Sequence, residues 1–318
     1  MIQIIRAAAL GLTIMTVCGY AHAQEPPSPA ALVDEVEVIA KLPGPALWRV
    51  STPTSQLWII GLASPLPDRF DWDARRLETA LSGARELVVP PGASVGVGEM
   101  IAMTLDLGHI IHLDHGQTLH AILPEPLRVR FDAAARAAGQ TPEHYDHWRP
   151  VFAAMALVFD AEQKDALNPE GPQRKVAEIA RRQGVRVRRL ANYKAGDLIR
   201  GVSRLDAAAS VSCMTLAVNK AERMPTDAAR MAQAWAHGDV AEVRAVDAQT
   251  SPEACYDAAP TVAALRDRVA KDWAADLSRA LEQPGKTVAA IDLDSLTRRD
   301  GLLDQLRAKG LTVIGPSY

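Results

Sequence analysis

Apolar residues in this chain follow two rhythms, short unbroken runs and longer three-to-four-residue spacings, and together they lay out an α/β protein. Leu57-Trp58-Ile59-Ile60 is the first clear run. It ends at Gly61 and gives way to Ser64-Pro65-Leu66-Pro67, the pattern of a buried strand followed by a polar loop. Leu47-Trp48-Arg49-Val50 precedes it across residues 51–55 and is expected to pair with it as a hairpin. Residues 71–81 place Trp72, Ala74, Leu77 and Leu81 at helical spacing, with Gly83 just past the end. Glu86-Leu87-Val88-Val89 is the next strand, stopped by Pro90-Pro91. This strand–helix–strand order predicts a parallel pair joined by a crossover.

The middle of the chain is helical. Helices are expected over residues 124–138, 142–159 and 171–184, followed by the alternating strand Val185-Arg186-Val187-Arg188-Arg189-Leu190. Residues 195–282 read as helix throughout, punctuated by Pro225, Gly238 and Pro252. Within them, Trp235-Ala236-His237-Gly238-Asp239 marks a helix end followed by a capped start. Lys286-Thr287-Val288-Ala289-Ala290-Ile291 returns to strand, residues 300–309 form a helix closed by Gly310, and Leu311-Thr312-Val313-Ile314 is the last strand. The fold class is therefore α/β (α+β): a mixed central sheet with N- and C-terminal strand–helix–strand units and a large helical layer.

Charge adds an exclusion. The chain has 318 residues, 48% of them hydrophobic, and a formal net charge of 35 − 38 = −3. That is globular composition with no basic stripe, so nucleic acid is not an expected partner.

The N-terminus reads as a processing segment. Arg6 precedes the apolar run of residues 7–15, and Ala21-His22-Ala23 follows, which is a secretory signal over residues 1–23 with cleavage after Ala23. Residues 24–45 are a proline-rich, acidic linker, and residues 46–318 are expected to form a single domain. The mature protein is then periplasmic or secreted, with no membrane span. Export leaves two cysteines, Cys213 and Cys255; in an oxidising compartment they are expected to bridge, two buried thiols being the alternative.

Four stretches carry candidate chemistry. Gly92-Ala93-Ser94-Val95-Gly96-Val97-Gly98 matches a phosphate loop only loosely, because Glu99 stands where such a loop needs lysine, and a flexible loop is expected. His109, His112, His115 and His120, with His144 and His147 beyond, are the right residue type for a metal site. Gly108 and Asp114-His115-Gly116 are turn signals, however, and predict a hairpin whose strands send His109 and His112 to opposite faces. The arginines of residues 185–190 would face either solvent or an anionic ligand. Asp292 and Asp294, read as alternating along a strand, would share a face and could hold a metal or act as acid and base.

Six blocks, in this order, resemble the TraB/GumN family: Leu47-Trp48-Arg49-Val50; Leu57-Trp58-Ile59-Ile60-Gly61; Ala80-Leu81 through Val88-Val89; Leu123-Pro124; Ala234-Trp235-Ala236-His237-Gly238-Asp239; and Asp300-Gly301-Leu302-Leu303 with Gly310-Leu311-Thr312-Val313. The resemblance implies a mixed α/β fold related to haem-uptake and erythromycin-esterase-like proteins, in a group that includes the Tiki metalloproteases. It also implies site positions, and there this chain departs from the pattern. Ser64 stands where the first strand usually delivers histidine, Pro90 where the next ends on glutamate, and Ala191 where a later strand presents glutamate. Val269 and Ala270 replace an Arg-Asn pair ahead of Trp273, and Ser295 replaces the histidine of a final Gly-x-x-His-Leu.

A hydrolytic divalent metal needs about three protein ligands and an open water position. Serine, proline and alanine do not supply them. The expectation is a catalytically inactive exported protein without a cofactor, acting on a protein or envelope ligand through the relict cleft. The alternative is a metal-dependent hydrolase with a site rebuilt from Asp292, Asp294 and Ser64 or Ser295.

Overall fold

The computed structural model describes residues 44–94, 108–249, 255 and 259–318. The expected export signal and the linker as far as residue 43 lie outside the described residues, as does the glycine-rich stretch beyond Ser94.

Strand β1 (Leu47–Ser51) turns into β2 (Ser55–Leu62) through a tight loop in which the Thr52 N–H donates to Ser55 O at 2.9 Å and the Ser55 N–H to Thr52 Oγ1 at 3.1 Å. The hairpin register runs from Leu47↔Ile60 to Ser51↔Gln56, as the apolar pattern predicts. Short β3 (Leu66–Pro67) and helix α1 (Arg75–Leu81) lead to β4 (Glu86–Val89) and β5 (Gly92–Ser94). A helical lobe follows, made of α2 (Leu119–Ile122), α3 (Glu125–Ala137), a 3-10 turn (Pro142–Tyr145) and α4 (Pro150–Lys164). Then come β6 (Leu167–Asn168), α5 (Gly171–Arg182), β7 (Arg186–Arg189) and β8 (Asn192–Lys194). Helices α6 (Ala195–Val202), α7 (Ala207–Ala236), α8 (Val240–Asp247) and α9 (Pro260–Glu282) precede β9 (Gly285–Asp292). Helices α10 (Leu293–Thr297) and α11 (Leu302–Ala308) and strand β10 (Val313–Ile314) end the chain.

Six strands form the main sheet in the order β10-β1-β2-β9-β4-β7. β2, β9, β4 and β7 are mutually parallel, and β1 and β10 complete it as antiparallel neighbours. The central strands are covered on both faces, which is why their sequences are unbroken apolar runs: Ile59, Ile60 and Val288 through Ile291 are all fully buried. β2 and β4 are parallel as expected, but β9 lies between them. Local order shows that two strands share a sheet; it carries no information about a strand arriving some 200 residues later to separate them.

Other differences have local causes. The expected helix over 142–159 is divided, because Pro150 lacks the N–H needed in a helix interior and opens α4 instead. Pro225, read as punctuation, lies inside the 30-residue α7. That helix joins two cores: Met214, Val218 and Met224 pack in the helical lobe, whereas Met231, Ala232 and Trp235 pack against the sheet. Burial along both halves holds the helix through the missing hydrogen bond. It stops at Gly238, whose φ of +68° ends the helical path, and Asp239 caps α8 by accepting from the Glu242 N–H at 3.2 Å. Gly92–Ser94 are strand β5, paired with β8, where a flexible loop was expected.

Arg186 and Arg188 of β7 face acids. Arg188 makes two hydrogen bonds to Glu86, both at 3.0 Å, and reaches Asp276 of α9 at 2.8 and 2.9 Å; Arg186 binds Glu86 at 2.5 Å. Cys213 on α7 and Cys255 stand at bonding distance, sulfurs 2.03 Å apart, tying α7 to the chain ahead of α9. No helix among the described residues is long and apolar enough to cross a membrane.

Candidate functional site

The parallel strands set the place of the site. β2, β9 and β4 run in one direction, so their carboxyl ends open on one side of the sheet, where open α/β sheets put their ligands. A cleft of about 230 Å³ lies there. Its floor comes from Leu62, Ala63 and Ser64 after β2, Pro90 after β4, and Asp292, Leu293 and Asp294 at the end of β9. Pro172 and Gln173 of α5, Met231 of α7 and Asp247 of α8 are among the residues of the opposite wall.

Two contacts bring the α7 wall to the strand ends. The buried Trp235 Nε1–H donates to Gly61 O at 2.7 Å, and Phe70 and Trp72 pack edge-on against the Trp235 ring at 5.7 and 5.2 Å. Gly61 must be glycine for packing: a Cβ there would lie 2.4 Å from Leu293 Cδ2 and 3.1 Å from Trp48 Cζ3.

Two polar groups of the floor, Ser64 and Asp292, are already engaged. Ser64 Oγ donates to Pro169 O at 2.7 Å, which commits its proton to a backbone acceptor. Asp292 caps α10, accepting from the Asp294 N–H at 3.2 Å and the Ser295 N–H at 3.4 Å. β9 ends at Asp292 and Asp294 lies in the first turn of α10, so the two aspartates do not alternate along a strand. A capping aspartate at a strand-to-helix junction has the same spacing, and that reading wins here.

Asp247 is the site residue that sequence reasoning missed. It ends α8, 45 residues before Asp292 in the chain, and nothing in its local pattern connects the two. Burial and the neighbouring charges of Asp294 and Asp292 raise its pKa, with Lys220 acting the other way. Asp292 is raised as well, first by the protein packed around it and, beyond the opposing Ser295 hydrogen bond, by Asp294. Solvent reaches Asp292 through the mouth of the cleft, so this is the burial of a crevice and not of a core. Asp247 and Asp292 thus carry raised carboxyl pKa values, and with Asp294 they make the cleft acidic.

Ser64, Pro90, Asp292 and Asp294 thus line one cleft, whereas Ser295 and Ala191 are not among its lining residues. Ser295 lies a turn into α10, and Ala191 accepts from the Gly92 N–H at 3.0 Å beside the β5–β8 pair. Val269 packs against the sheet core on α9, beside buried Trp273. The histidines do not form the expected hairpin: residues 108–111 are a helical turn, His112 bridges to Trp148, and His120 lies on α2. Among the described residues no three His, Cys, Asp or Glu side chains are placed to hold a metal ion.

A family model matches residues 46–314, the whole region from β1 to β10. The chain belongs to the TraB/PrgY/gumN family. No curated protein and no solved structure matches it. The divalent metal that the family resemblance implies does not fit this cleft. Ser64 is hydrogen-bonded away, Pro90 offers no donor, and among the described residues Asp247, Asp292 and Asp294 do not form a group placed to hold a metal ion.

Proposed function

We propose that this TraB/PrgY/gumN-family chain is an exported, non-catalytic member that acts by binding through the cleft at the carboxyl ends of β2, β9 and β4. The observation that carries this reading is the donor set: Ser64, committed to Pro169 O, and Pro90 line the cleft where the family resemblance places histidine and glutamate, so neither strand end supplies a ligand for a hydrolytic metal. Binding is supported by the cleft itself, with apolar lining from Met231, Val243, Leu62 and Leu293 and an acidic floor from Asp292 and Asp294 that Asp247 faces from the opposite wall. Such a floor favours a cationic group, so the ligand is a protein or envelope component presenting an ammonium or guanidinium on an apolar stem.

One observation favours a second reading. Asp247 brings a third carboxylate to the cleft of Asp292 and Asp294, which a hydrolase with a rebuilt site would need. Assays on peptide and ester panels, with Zn²⁺, Mn²⁺ or Co²⁺ added, distinguish the two. The binding reading predicts no turnover above buffer, together with retention of Lys- and Arg-rich peptides that weakens with Asp247→Asn. Turnover that disappears in Asp292→Ala or Asp294→Ala protein would establish the hydrolase.

A further inference from the structure

The helical lobe holds a titratable group far in sequence from the cleft residues. His120 on α2 places Nε2 2.7 Å from Asp132 Oδ1 on α3 and Nδ1 3.0 Å from Asp146 Oδ1, just past the 3-10 turn. Three elements therefore meet on one ring. The backbone joins them at the same point: the His120 N–H donates to Asp146 Oδ1 at 3.2 Å and the Leu119 N–H to Asp146 O at 2.8 Å.

The protonation state follows from what each group can do. An ionised carboxylate only accepts hydrogen bonds, and a neutral imidazole carries one N–H. A neutral ring would satisfy one aspartate and turn its lone pair on the other. Only the doubly protonated ring donates to both. The remaining charged groups around it do not replace that charge. On α3, Arg136 lies 3.9 Å from Asp132 Oδ2, and Arg128 Nη1 donates to His120 O at 3.3 Å. On the 3-10 turn, hydrogen bonds from its own backbone N–H and from Thr141 lower the Glu143 carboxyl pKa, with a smaller contribution from the charge of His120. Phe131 closes the apolar side, its ring centroid 6.2 Å from the imidazole.

We propose that His120 is a pH-operated clamp: its imidazolium ties α2 to α3 and to the 3-10 turn ahead of α4, and loss of its proton releases the Asp146 side of that junction. The supporting shift has the required sign. Burial, which leaves about a quarter of the side chain exposed, works against the charge, but the two aspartates outweigh it and raise the pKa above 6.5. The stabilisation is then fully present below pH 6.5 and is lost as the pH rises through the higher folded-state value. The lobe closes in mild acid and loosens in base, opposite to the common behaviour of a buried neutral histidine.

Histidine ring titration by NMR on the full chain, with amide exchange on the same samples, tests the clamp. His120 should titrate above pH 6.5. Exchange at the Leu119 and His120 amides, corrected for the intrinsic pH effect, should quicken on the order of tenfold across that midpoint, as loss of a charged hydrogen bond requires. Amides in the sheet-facing half of α7 should not respond. Asp132→Asn should lower the midpoint, and His120→Gln should flatten the pH dependence of exchange. The Asp132 variant keeps the Asp146 contact and covers the case in which His120→Gln does not fold. A midpoint at or below 6.5, a midpoint that ignores Asp132→Asn, or exchange that ignores the titration overturns the proposal.

Discussion

Arg188→Met is the sharpest test of how the sheet is fastened to the helical layer. Arg188 lies on edge strand β7 and holds Glu86 of β4 and Asp276 of α9 together. The Asp276 side chain is only 4% exposed and Glu86 14%, so both charges depend on their partners. Methionine keeps the length of the stem and removes the charge. Breaking a buried ion pair from one side costs about 3–5 kcal/mol, because a desolvated charge is left behind. Here each acid retains a second arginine, Arg279 at 3.1 Å from Asp276 and Arg186 at 2.5 Å from Glu86. Both are mostly exposed, and pairs of that kind contribute about 0.2–1 kcal/mol each. The net loss should be on the order of 3 kcal/mol, or roughly 6–12 °C in melting temperature for a domain of this size. Urea denaturation measures it directly, and Arg188→Met with Asp276→Leu should recover much of the loss. Burial alone would raise the Glu86 pKa, but Arg188 and Arg186 outweigh it and lower it. The Glu86 contribution is therefore present above the ordinary value of 4.5 and lost as the pH falls through the lowered one, so the gap between wild type and variant should narrow in acid. A loss below about 1 kcal/mol, or a double variant as unstable as the sum of the singles, would refute the reasoning.

Three further outcomes are expected. Asp247→Asn should stabilise the protein at pH 7 by about 0.5–2 kcal/mol, since the raised pKa means that its charge opposes folding; thermal melts should show the difference vanish as the pH falls and the wild-type carboxyl protonates. Replacing both Cys213 and Cys255 by serine should cost on the order of 4 kcal/mol for a bridge spanning 42 residues, and thiol labelling of the native protein should require prior reduction. Trp235→Phe should cost about 2–3 kcal/mol in denaturant melts, because it leaves the buried Gly61 carbonyl without its donor.

The fold was legible where burial leaves a local pattern. Leu57 through Ile60 and Val288 through Ile291 are apolar without interruption because both faces of their strands are covered, and they read as strands for that reason. The α7 stop at Gly238 and the α8 cap at Asp239 were equally readable, because a positive φ and a capping carboxylate are properties of single residues. Features set by distant partners were not legible. The insertion of β9 between β2 and β4, the passage of α7 through Pro225 and the His120 contact with Asp132 and Asp146 all depend on contacts that sequence spacing does not encode.

The candidate site divides along the same line. Ser64 and Pro90 were placed by the ends of readable strands, and the structure brings both to one cleft. Asp292 and Asp294 were assigned a shared strand face because strand alternation and a capped helix start put carboxylates at the same spacing. Asp247 reaches the cleft from the end of α8, brought there by the packing of α8 against α7 and α10.

Calorimetric titration of the metal-stripped protein with Zn²⁺, Mn²⁺ and Co²⁺ tests the central claim most directly. The account predicts no saturable binding tighter than about millimolar, as expected where the ligand set is lacking. Stoichiometric binding at micromolar or lower concentration, abolished by Asp292→Ala and Asp294→Ala, would contradict it and return the protein to the hydrolases.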